Sequence, residues 1–306
     1  MKIPEKLQPG DEIRVIAPSR SLSIVRQSSY EGALRHLTEQ GFRVTFGDRA
    51  REVDRWHSSS AEARVADLHD AFADPNVKAI LTAIGGFNVN QILSRLDYDL
   101  IGRNPKILCG FSDITALLTA IHTKTGMVTY HGPHFSSFGV EKERKYTWDM
   151  FQKCVMECSP FSVMPFEAGS CQVLRPGIGE GQIVGGNLCT LNLLQGTPWF
   201  PDLEGKILFL EDDNIVGDYF CQEFDRNLQS LLHCKGGDKI VGLVLGQFDE
   251  SCQLDSRTAM EIVESKIPAE IPVIFKADFG HRFPMLTFPV GGTARIDKSG
   301  LMIQEH

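Results

Sequence analysis

The 306-residue chain reads as an α/β protein: a mostly parallel sheet in its first half, then a β-rich α/β unit. Three observations predict this. Short β-branched runs alternate with amphipathic stretches of helical length up to about residue 124, the pattern of βαβ units. Between residues 160 and 186 glycine and proline rise and helical periodicity fades. Beyond that point β-like runs return, separated by two helical segments.

The elements follow in order. Residues 12–17 (EIRVIA) predict a strand, and 25–40 a helix that stops before Gly41. A second strand falls at 43–46 and a second helix at 60–73. Residues 77–83 (VKAILTA) form a third strand that runs into Gly85-Gly86. A helix is expected at 89–96, a strand at 106–109, and a long helix from 112 to about 124. Ile114, Leu117, Leu118 and Ile121 share one face of that last helix. In the second half, strands are expected at 182–184, 206–210, 240–245 and 272–275, with helices at 219–232 and 258–266. Composition divides the chain into a domain at 1–165, a linker at 166–179 and a domain at 180–306. Neither an internal repeat nor a low-complexity tract interrupts it.

Charge narrows the functional classes. The 31 basic and 39 acidic residues give a net charge of −8, and the basic ones are dispersed. A nucleic-acid binder needs a concentrated cationic face, so that class is set aside. No apolar run reaches the length of a membrane span, and the first residues lack a secretory signal's apolar stretch. Eight scattered cysteines in a chain of this length point to reduced thiols and a cytoplasmic protein.

Chemistry concentrates at Gly110-Phe111-Ser112-Asp113, where an apolar strand meets a helix within two residues. A serine on such a turn is placed like a nucleophile elbow, and the helix N-terminus offers unpaired N–H groups to a developing oxyanion. The competing reading makes Ser112 simply the helix cap. A serine nucleophile needs a base and an orienting acid. His281 lies on a loop after the strand at 272–275, suitable for reaching across a cleft, whereas His36 and His69 fall in amphipathic helices and are expected at the surface. Glu211 ends the apolar run at 206–210, followed at once by Asp212 and Asp213; which of the three faces inward stays open. Gly85-Gly86 lets backbone N–H groups approach a ligand closely. The glycine spacing does not fit a dinucleotide fingerprint, and a P-loop is absent. His131 and His134 are three apart, without the companions of a zinc site.

Five motifs in order, Ala83-Ile84-Gly85-Gly86, Gly110-Phe111-Ser112-Asp113, Gly185-Gly186-Asn187-Leu188, Leu210-Glu211-Asp212 and Asp278-Phe279-Gly280-His281, resemble the LD-carboxypeptidase family of serine peptidases. The similarity spans nearly the whole chain and includes the family's microcin C self-immunity and muramoyltetrapeptide carboxypeptidase branches. The surroundings of Tyr98-Asp99 and Lys124-Thr125-Gly126 look closer to the microcin-immunity branch. The resemblance implies a Rossmann-like N-terminal domain and a β-rich C-terminal domain with the active site between them. It implies a catalytic Ser112, Glu211 and His281, an oxyanion hole from the backbone of Gly86 and Asp113, no metal or cofactor, and a homodimer. Gly85, Asn187, Asp249 and Arg282 are the further residues expected toward substrate, Arg282 for a carboxylate and Asp249 for an ammonium.

Two substrates follow: a peptidyl-aspartyl-nucleotide of the microcin C type, or a murein tetrapeptide losing its terminal D-alanine. The segment at 160–181 is short beside the microcin-immunity pattern and offers Phe161 and Phe166 rather than tryptophan; Trp199 is expected to pack. The rival classes are a two-domain binding protein without chemistry and a nucleotide-dependent transferase using Gly85-Gly86 as a phosphate loop.

Overall fold

The structure, a computed structural model, describes residues 1–167 and 171–306, so residues 168–170 of the expected linker lie outside the described residues. In the first half the elements are β1 Glu12–Ile16, α1 Gln27–Glu39, β2 Arg43–Phe46, α2 Ala61–Ala73, β3 Val77–Thr82, α3 Tyr98–Arg103, β4 Ile107–Gly110, α4 Thr115–Thr125, β5 Thr129–His131 and α5 Arg144–Met156. The second half holds β6 Phe161–Ser162, β7 Gln172–Arg175, β8 Gly179–Asn187, α6 Leu188–Asn192, β9 Lys206–Glu211, α7 Phe220–Leu232, β10 Gly242–Leu245, α8 Ser256–Glu264, β11 Val273–Phe275, β12 Phe288–Val290, β13 Thr293–Asp297 and β14 Gly300–Glu305.

Two sheets result. The first runs β12-β5-β4-β3-β1-β2, with β1 to β5 parallel and β12 antiparallel to β5. The second runs β6-β14-β13-β8-β9-β10-β11-β7; its centre, β8 to β11, is parallel and its flanks are antiparallel. The α/β architecture expected from sequence is therefore present, with a parallel N-terminal sheet and a C-terminal sheet. The inner parallel strands β4 and β10 are buried at every position, as helix-covered sheets require.

The halves are sewn together. β12, from the chain's last tenth, completes the first sheet beside β5. Beneath that seam Phe209 of β9 and Phe288 of β12 pack with ring centroids 4.8 Å apart, Phe279 lies 5.1 Å from Phe288, and His131 stacks on Phe288 at 4.6 Å. All four are fully buried.

Local expectations met two kinds of correction. The helix expected at 89–96 is instead two short 3₁₀ turns, Val89–Gln91 and Leu93–Arg95. Asp113 accepts the Val89 N–H at its start, and Asp97, directly after it, caps α3 through the Leu100 N–H, so the next helix begins at Tyr98. His36 and His69 are half-buried rather than surface residues: His36 stacks on Phe138 and meets Trp148 edge-on, while His69 accepts the Asp97 N–H. Trp199 does pack, against the cluster around α4.

Candidate active site

Strand ends build the site. Arg20 follows β1, Gly85 and Gly86 follow β3, and Ser112 follows β4, all beyond the carboxyl ends of parallel strands, where open α/β sheets place their ligands. Glu211 closes β9 of the other sheet and His281 follows β11.

Ser112 is held in the left-handed region, with φ of 60°. For a non-glycine residue that conformation costs of order 1–3 kcal/mol and persists only where the surroundings impose it. Here they do. Asp113, buried behind it, accepts from the Ser19 hydroxyl at 2.6 Å and the Val89 N–H at 3.0 Å. On the far side, Thr115 Oγ1 accepts the Asn187 N–H at 3.0 Å and ties this turn to the C-terminal sheet. Ser112 caps no helix: the short turn Ser112–Ile114 leading into α4 has Phe111 at its cap position, with no side-chain bond. The hydroxyl instead lies 3.1 Å from His281 Nε2.

His281 Nδ1 is 2.7 Å from Glu211 Oε2. Glu211 is fully buried, while the His281 side chain is 26% exposed and so opens to the cleft. Of the three consecutive acids, Glu211 is the one that meets the histidine directly; Asp213 Oδ2 stands 3.9 Å from His281 Nε2. Asp212 turns away to Asn187 Nδ2 at 3.0 Å and the Cys189 N–H at 3.2 Å. The charges are interdependent. Burial disfavours the His281 cation, but the Glu211 charge and hydrogen bond, with Asp213 and Asp212 behind, outweigh it and raise the imidazole to about 9. Burial would raise Glu211, yet His281 holds it below its ordinary value. Asp212 is pushed up to about 8 by burial and by its two acidic neighbours.

The loop carrying His281 is pinned by Asp278. Its carboxylate accepts the Phe166 N–H at 2.7 Å, the Tyr146 hydroxyl at 3.1 Å and the Gln247 amide. Gly280, with φ of 120°, passes so close that a side chain there would strike the Gln247 carbonyl and the Glu211 side chain.

A cavity of about 470 Å³ opens over Ser112, bordered by Gly85, Gly86, Arg20, Arg26, His134 and His281. The other expected substrate residues fall elsewhere. Arg282 and Asp249 line a separate cavity of about 760 Å³ with Lys276 and Gln247. Asp249 caps the turn Glu250–Cys252 through the Ser251 N–H. Asn187 caps α6 through Thr190 and steadies Asp212, behind the cleft rather than in it. The cations beside Ser112 are Arg20 and Arg26, which the sequence reading passed over; the signal was available, since Ser19-Arg20 directly follows the first parallel strand. His131 and His134 do not pair around a shared point: one stacks on Phe288, the other lies tilted against Phe111 with ring centroids 4.3 Å apart.

A serine hydroxyl, an imidazole and a buried carboxylate in one chain, facing a cavity between two α/β sheets, define a serine hydrolase. Residues 13–132 match the LD-carboxypeptidase N-terminal domain and residues 180–296 its C-terminal domain. The chain belongs to the LD-carboxypeptidase family, a family of serine peptidases, and is a carboxypeptidase-type hydrolase. A putative carboxypeptidase of Bacillus subtilis (strain 168), YocD, is 44% identical, covering 98% of this chain and 99% of that protein. The microcin C7 self-immunity protein MccF of Escherichia coli is 30% identical over 94% of this chain and 91% of its own, and a probable murein peptide carboxypeptidase of Bacillus subtilis (strain 168) 34% over 96% and 91%. Among solved structures, an MccF-like protein from Bacillus anthracis str. Ames covers both chains fully with a TM-score of 0.96 at 47% identity. MccF in complex with aspartyl sulfamoyl adenosine reaches 0.89 at 27% identity, covering 99% of this chain and 98% of its own. Among the described residues no helix is long and apolar enough to cross a membrane.

Proposed function

We propose that the protein hydrolyses an amide bond through an acyl-enzyme on Ser112, acting on peptidyl-aspartyl-nucleotides of the microcin C type. The hydrogen-bonded series Ser112–His281–Glu211, at 3.1 and 2.7 Å, carries the reading. In it, His281 Nε2 takes the proton as Ser112 Oγ attacks the carbonyl carbon and returns it to the leaving nitrogen. Glu211 holds Nδ1–H and steadies the imidazolium. The backbone N–H groups of Gly86 and Asp113 receive the oxyanion, and water then releases the acyl group. Arg20 and Arg26 supply positive charge for a substrate carboxylate in place of the expected Arg282. No metal or cofactor enters these steps. The enzyme works in the cytoplasm as a homodimer, a state that light scattering on the purified protein reads directly.

The nucleotide substrate is supported by the likeness to MccF over nearly the full length of both chains. The murein reading, removal of a terminal D-alanine from a tetrapeptide, is kept because a probable murein peptide carboxypeptidase is also 34% identical. Mass spectrometry of parallel digests separates them: aspartyl sulfamoyl adenosine in one, a muropeptide tetrapeptide ending in D-alanine in the other. Release of the sulfamoyl nucleoside supports the first reading. Loss of D-alanine alone replaces it with the second, and turnover of either by Ser112→Ala overturns the mechanism.

A further inference from the structure

One polar atom in the cavity has no task in that mechanism. His134 is 2% exposed, and its Nε2 is buried without a partner among the described residues. The other ring nitrogen, Nδ1, lies 2.7 Å from Thr82 Oγ1, whose hydroxyl also reaches the Cys109 carbonyl at 3.3 Å. Thr82 has a single proton to give. If it goes to Cys109, the Thr82 oxygen accepts from His134 Nδ1–H and all three groups are satisfied; if it goes to His134, the Cys109 contact is lost and an N–H is stranded at Nε2. The first arrangement leaves Nε2 as a bare acceptor. Burial, with the nearby charges of His281, His131 and Arg20, keeps this ring neutral by holding it well below its ordinary pKa.

Position gives the acceptor its meaning. Ser112 Oγ and His134 Nε2 lie 3.2 and 3.3 Å from the point where a side chain on Gly85 would begin. Glycine at 85 thus keeps open a niche between the nucleophile and an unpaired acceptor. The cavity's cations are Arg20 and Arg26, and its one carboxylate among the described residues, Asp213, stands on the His281 side, 3.9 Å from that ring's Nε2, rather than at the Gly85 niche. A substrate carboxylate suits those cations and is repelled by a lone pair. A lone pair suits an N–H.

We propose that His134 is a specificity residue whose Nε2 accepts a hydrogen bond from the α-nitrogen, amide or ammonium, of the residue whose carbonyl Ser112 attacks. That nitrogen is one carbon from the attacked centre, the reach the niche allows, while the leaving nitrogen belongs to His281. The inference rests on Ser112 being the nucleophile.

The test pairs aspartyl sulfamoyl adenosine with its des-amino counterpart, in which hydrogen replaces the α-ammonium, in titration calorimetry on the Ser112→Ala background, which turns over neither. With His134 intact, that background is expected to bind the amino ligand tighter by roughly tenfold or more, the scale of a hydrogen bond from a charged donor. His134→Phe, which keeps a ring against Phe111 but deletes the acceptor, should bring that ratio near one, and His134→Gln should restore part of it. An undiminished ratio in His134→Phe overturns the proposal. So does a nitrogen-15 spectrum of the free enzyme showing a hydrogen on Nε2, a readout that holds even where neither nucleoside binds. Labelling by a fluorophosphonate separates the two levels: a wild type that does not label at Ser112 refutes the nucleophile, whereas labelled His134→Phe with an unchanged ligand ratio refutes His134 alone.

Discussion

The two walls of the cleft are held in place by different means. On the Ser112 side the backbone sets position: Ser112 sits at φ of 60°, Gly85 leaves room beside it, and Asp113 is locked by Ser19 and Val89. On the His281 side, side chains set position. His281 rides on a loop fixed by Asp278 to Tyr146, Phe166 and Gln247, and by Phe279 in the aromatic seam. A wall built from backbone tolerates little change at its few strained positions; one built from side chains spreads its dependence over distant residues.

Substitutions can break this contrast, starting with the largest effect. Ser112→Ala should lower kcat by about 10⁶ with the fold retained, measured by single-turnover assay and circular dichroism. Because the strained turn is imposed by Asp113 and its neighbours, alanine there should leave the melting temperature close to wild type. Glu211→Gln keeps the shape but loses the charge that orients and stabilises the imidazolium, so kcat should fall by about 10⁴. A fall in KM alone would contradict that role. Phe279→Ala removes a fully buried ring from the seam and should cost about 3–5 kcal/mol in denaturant unfolding. If the seam couples the walls, both sheets should unfold in one transition at the lower midpoint.

A finer prediction concerns pH. As the proposed base His281 works only when unprotonated, and its acidic neighbours raise it to about 9. The kcat/KM of the free enzyme should therefore climb through neutral pH, reach half its plateau near 9 and level off above it. Asp213→Asn removes one of the raising charges and should move that limb toward lower pH. Stability should run the opposite way. The His281–Glu211 ion pair contributes fully below the histidine's ordinary 6.5 and is lost as pH rises toward 9, while Asp212, raised to about 8, becomes costly as it ionises. The melting temperature should fall between pH 6.5 and 9, and Asp212→Asn should flatten that fall.

The same contrast explains what could be read from sequence. The alternation of strands and helices gave the first sheet because β1 to β4 are local, each followed by its own helical or glycine-marked turn. Ser112 stood out because an apolar strand, a glycine and a helix converge on it within six residues. His281 and Glu211 were singled out by position at strand ends, but their pairing came from resemblance, since no local pattern brings the ends of β9 and the loop after β11 together. β12 was missed for a related reason: three residues beside β5, far away in the chain, carry no periodic signal of their own. Arg282 was expected at the site because it adjoins His281, yet the loop turns it to Phe248 and the neighbouring cavity. Adjacency in sequence did not survive a loop whose direction is set by Asp278 and Gly280.

The central claim is that Ser112, His281 and Glu211 act as one unit. Intact-mass spectrometry with a fluorophosphonate probe tests it most directly. The account predicts one adduct on wild type, located at Ser112, none on Ser112→Ala, and strongly slowed labelling in both His281→Ala and Glu211→Gln. Equal labelling rates in wild type and those two variants, or an adduct on any other residue alone, would contradict it.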